Sequence, residues 1–75
     1  LPITLSINSK DYKKIEDLEE TFESMDLISN FYILKLDNQF IKYKIIYNGS
    51  PKTFINSMSK KNFNLSMTNN NWVIK

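Results

Sequence analysis

Cysteine, histidine, arginine and alanine are all missing from this 75-residue sequence, and glycine occurs once. Without Cys there are no disulfides and no thiolate metal sites, and the chain suits a reducing or an oxidising compartment equally. Without His the commonest general base and the commonest nitrogen ligand are gone. No basic segment precedes an apolar one, and no apolar run is long enough to span a bilayer. The 75 residues therefore hold neither a secretion signal nor a transmembrane helix. The chain opens Leu1-Pro2 with no initiator Met, as expected of a domain cut from a longer bacterial protein.

What is present is Ile, Asn and Lys, ten of each. With Phe, Tyr and Met they fill 42 of 75 positions, and all six are encoded by AT-rich codons. The Lys and Asn excess is thus read first as codon drift. The length makes a single domain of residues 1–75. A chain this short buries roughly 60% of its unfolded surface and gains about 3–5 kcal/mol from its core. A deep catalytic pocket would consume much of that.

Ile3, Leu5 and Ile7 alternate with Thr4 and Ser6, so Pro2 to Ile7 reads as a strand with one buried face. A helix follows over about Ser9 to Met25, with Asn8 or Ser9 as cap and Asp11 in its first turn. Tyr12, Ile15, Leu18, Phe22 and Met25 form its apolar stripe. Ile28 to Tyr47 reads as a hairpin turning at Asp37-Asn38 or Asn38-Gln39. Either turn places Ile28, Tyr32, Leu34 and Leu36 beside Ile41, Tyr43, Ile45 and Tyr47 on the core side. Phe31, Ile33 and Lys35 then lie with Phe40, Lys42, Lys44 and Ile46 on the solvent side.

Ser50 and Pro51 start a second helix with Phe54, Ile55 and Met58 inward, and Asn62 can end it in the left-handed conformation. A last hairpin turns at Asn69-Asn70, pairing Leu65 with Ile74 and Met67 with Trp72, with Asn64, Ser66, Asn71 and Lys75 outward. The order β-α-β-β-α-β-β predicts an α+β fold, a ferredoxin-like two-layer sandwich. Two helices cover one face of a four-stranded antiparallel sheet, and a short fifth strand extends the last edge.

Tyr47-Asn48-Gly49-Ser50-Pro51, then Phe54, Met58, Leu65 and Trp72-Val73-Ile74, together with Tyr12, Ile15 and Leu18, resemble the C-terminal module of a proteobacterial family. Its members are exported proteins with a domain of unknown function. The resemblance implies this fold, a bacterial origin and a periplasmic or exported location, and carries no catalytic residue. The family's Ala and Arg are replaced here by Ile, Asn and Lys.

Phe31, Ile33, Lys35, Phe40, Lys42, Lys44 and Ile46 are the candidate interaction surface. Exposed aromatics among basic residues on a sheet can stack single-stranded bases. Against that, FIKYKIIY lacks the glycines of the RNA-recognition signature. An uncovered aromatic sheet face more often meets protein. Glu16, Glu19, Glu20 and Glu23 cluster on the first helix, where a solvated face explains them better than a cation site. Residues 1–26 hold three Lys and seven carboxylates, net −4, whereas 27–75 hold seven Lys and one Asp, net +6.

Ser6, Ser24, Ser57, Ser59 and Ser66 have no His to activate them. Asn48-Gly49-Ser50 is too short for a phosphate loop, and Asn64-Leu65-Ser66 is a chance glycosylation sequon. The expectation is a non-catalytic protein-interaction or structural module without cofactor or metal. Single-stranded nucleic-acid binding through the open sheet face is the alternative.

Overall fold

The computed structural model describes residues 2–69 and 71–74. Its elements are β1 (Pro2–Asn8), α1 (Tyr12–Ser24), β2 (Ile28–Leu36), β3 (Phe40–Tyr47), α2 (Pro51–Lys60), β4 (Leu65–Thr68) and β5 (Asn71–Ile74). Both helices bury their apolar stripes against one face of a five-stranded mixed sheet. The α+β character and the element order agree with the sequence.

The strand order is β2-β3-β1-β5-β4. This departs from the expected arrangement, in which the fifth strand would extend an antiparallel edge. Here β5 lies beside β1 and parallel to it, and β4 takes the edge. The side chains explain the exchange. Trp72, Val73 and Ile74 make β5 the more apolar strand, and the inner position carries Ile74 into the core. At the rim β4 keeps Ser66 and Thr68, and Met67 stays exposed. In the expected Asn69-Asn70 turn, Asn69 has φ +49°, while Asn70 lies outside the described residues, as does Lys75.

Helix α1 starts later than its pattern implied. Asp11 is the cap, its carboxylate accepting the Lys14 N–H at 3.3 Å. Asn8 instead closes a small turn, accepting from the Lys10 N–H at 2.9 Å. Leu18 and Phe22 are buried, and Ile15 and Met25 partly so, but Tyr12 is 77% exposed. Two successive steps of three carry Tyr12 about 120° round the helix from Leu18, onto its flank.

Helix α2 obeys its signals at both ends. The Ser50 side chain accepts the Thr53 N–H at 3.3 Å, and Pro51 opens the helix. At the other end Asn62 has φ +69°. The Phe63 N–H then reaches the Met58 carbonyl at 2.9 Å, and the Asn62 N–H reaches the Ser59 carbonyl at 3.0 Å. These two bonds make a Schellman cap, with Phe63 and Met58 both buried as its apolar contact. Gly49 does not have positive φ. It is needed for closeness: a Cβ there would lie 2.7 Å from the Tyr47 ring and 3.1 Å from Thr53 Oγ1.

Candidate functional site

On β3 the faces are as the alternation requires. Ile41, Tyr43, Ile45 and Tyr47 are buried under the helices, while Phe40, Lys42, Lys44 and Ile46 point to the open side. Strand β2 is where expectation and structure part. Phe31 is registered with Ile45 and Ile33 with Tyr43, so both lie on the helix side. Phe31 packs on Phe22 and Tyr43, with ring centroids 5.1 and 6.4 Å away. It belongs to the core margin and not to an open surface.

The cause is a pair of register shifts, one between Ile28 and Asn30 and one between Ile33 and Lys35. Each inserts one residue and reverses the facing of the residues beyond it. Ser29 and Leu34 are the inserted residues, and the Ser29 hydroxyl donates to the Ile46 carbonyl at 3.3 Å. Two reversals cancel. Ile28 and Leu36 therefore keep the expected side, opposite Tyr47 and Ile41, while the middle of the strand is inverted. Tyr32, expected in the core, stands on the open side opposite Lys44. Nothing in the alternation of apolar residues marks either insertion.

Two surfaces result. The open side gathers Lys35 directly opposite Lys42, with Lys44, Tyr32 and Phe40 near them. A shallow cavity of about 330 Å³ crosses this side, lined by Lys35, Phe40, Lys42, Asn71 and Ser6 among others. The Asp37 carboxylate at its margin already accepts the Gln39 and Phe40 N–H groups at 2.8 Å each. Those bonds, helped by Lys35, hold its carboxyl below the usual range.

The second surface is the free edge of β2. Nine residues long, it leaves Tyr32 (44%), Ile33 (48%), Leu34 (49%) and Leu36 (65%) exposed. Its only charge is Lys35. The opposite edge, β4, has four residues. Above the sheet, Glu19 of α1 sits over β3, where the Tyr43 hydroxyl donates to its carboxylate. Glu20 instead lines a groove of about 630 Å³ between α1 and the end of α2, with Lys61 and Asn62. The glutamates of α1 thus diverge.

Among the described residues no group of three acidic side chains is placed to hold a metal ion. No helix among the described residues is long and apolar enough to cross a membrane. Ser6 is buried and lines the open-side cavity, the Ser50 side chain accepts the Thr53 N–H at the start of α2, and the Ser24 hydroxyl donates to the Thr21 carbonyl. No protein-family model matches the chain, and neither the curated proteins nor the solved structures contain a significant match to it.

Proposed function

We propose that this chain is a non-catalytic protein-binding module that takes an extended segment of another polypeptide onto the free edge of β2. One observation carries the reading: a nine-residue edge strand has no proline, one lysine and four exposed apolar side chains. Long edges are usually shortened, charged, bulged or covered, because their unpaired N–H and C=O groups template further strands. Strand β2 has two bulges, yet Phe31–Ile33 between them pair in regular register and are apolar or aromatic. An edge left apolar is suited to β-augmentation, in which main-chain bonds supply affinity and alternate side chains supply selectivity. In this proposal the parent is an exported bacterial protein, which rests on the resemblance of Tyr47 to Pro51 and Trp72 to Ile74 noted above.

Random peptides displayed on phage, selected on the immobilised chain, test it. The counter-target is the Ile33→Lys/Leu36→Lys variant. Recovered peptides are expected to bind the parent, to ignore the variant and to protect β2 amides from exchange. Peptides binding both targets equally place the interaction elsewhere and defeat the reading.

A second reading, single-stranded nucleic-acid binding, is supported by Tyr32 and Phe40 standing among Lys35, Lys42 and Lys44 on the open side. It requires binding that weakens steeply with salt and is lost in Lys42→Glu and Lys44→Glu.

A further inference from the structure

We infer that the segment received by β2 alternates apolar and acidic side chains, the apolar ones toward the helices and the carboxylates toward the open side. This rests on the edge-binding reading above. Successive residues of an added strand point to opposite faces, so the two sides of the β2 edge make separate demands on it.

On the helix side the edge presents Ile33 and Leu36, about half and two-thirds exposed. Apolar side chains from a neighbouring strand would cover them. On the open side, Lys35 and Lys42 are directly opposed, and Lys44 lies two residues further along β3. Like charges in that relation are destabilising. Neither Lys42 nor Lys44 forms an ion pair among the described residues. The nearby Asp37 carboxylate is engaged by two backbone N–H groups. Asp37 stays negative and attracts Lys35, so three lysines against one carboxylate leave a net positive charge on the open side near the free edge. A carboxylate one strand further out would lie beside Lys35 and relieve it.

The same charges select against a second copy. Strand β2 has no acidic residue, so a self-paired edge would bring no carboxylate to Lys35. The occupant is therefore a different sequence, with acid where β2 has lysine.

Two short peptides, one alternating Val with Glu and one Val with Lys, are titrated into the isotope-labelled chain. The Val/Glu peptide is expected to shift amide signals from Asn30 to Leu36, with an affinity that falls as salt is added. Lys35→Glu should weaken it by about tenfold, and Lys35→Glu/Lys42→Glu should transfer preference to the Val/Lys peptide. Equal binding of both peptides at β2 overturns the charge assignment and leaves the edge reading standing. Binding of neither, or shifts confined to other elements, overturns both. A single-stranded oligonucleotide that displaces the Val/Glu peptide at equal concentration overturns the inference in favour of nucleic acid.

Discussion

The hydroxyl of Tyr43, in the middle of β3, donates a hydrogen bond to the carboxylate of Glu19 on α1, so a core ring is tied to the acidic flank of the helix above it. Burial and the Glu19 carboxylate together raise the Tyr43 pKa well above that of a free tyrosine. The folded chain thus holds the phenol protonated. That contribution is intact below the unfolded value of about 10 and fades as pH rises toward the higher folded value. Tyr43→Phe should cost about 1–2 kcal/mol at neutral pH and flatten the alkaline loss of stability. Urea midpoints from neutral to alkaline pH check this; an unchanged alkaline slope would contradict it.

Gly49→Ala tests the tight entry into α2. The new methyl would press on the buried Tyr47 ring, which is fixed by its 5.2 Å edge-on contact with Phe54 and by a 3.0 Å bond to Thr53. A loss of about 1–3 kcal/mol is expected, despite the entropic gain of replacing Gly. A variant as stable as the parent would mean that the Tyr47 ring yields without cost.

Phe31 and Phe40 separate the two faces of the sheet. Phe31→Ser should cost about 2–3 kcal/mol through the loss of contacts with Phe22 and Tyr43. Phe40→Ser, at an exposed open-side position, should cost less than about 1 kcal/mol. Thermal unfolding of the pair gives the answer, and the reverse ranking would restore the uninterrupted alternation along β2.

Lys42→Glu should stabilise the free chain by about 0.2–1 kcal/mol, because it turns a directly opposed like-charge pair with Lys35 into an attractive one. The gain should shrink in high salt. Destabilisation at low salt would show that the Lys42 stem packs more than its charge repels.

Much of the fold was legible because most of its signals are local. Ser50-Pro51, Asn62 and the β3 alternation each reproduce their element from a few neighbouring residues. Two features were not local. The inner position of β5 depends on which hairpin strand buries more against β1, a comparison that spans nearly the whole chain. The facing of Phe31, Ile33 and Tyr32 depends on insertions at Ser29 and Leu34, and every residue from Phe31 to Leu34 is apolar or aromatic. A run with no polar member carries no phase. Of the seven surface candidates, Lys35, Phe40, Lys42, Lys44 and Ile46 stand on the open side, whereas Phe31 and Ile33 do not.

The parallel pairing of β5 with β1 also has a kinetic side. Leu5 meets Trp72 and Ser6 meets Val73, so the central strand is complete only when residues far apart in the sequence come together. The β2–β3 hairpin and the two helices can begin locally, but closing so long a loop is entropically slow. During synthesis β1 must therefore wait, with one flank unpaired, until Ile74 has left the ribosome. The chain is expected to fold late and all at once, and fragments ending before β5 should remain unfolded and prone to associate through β1.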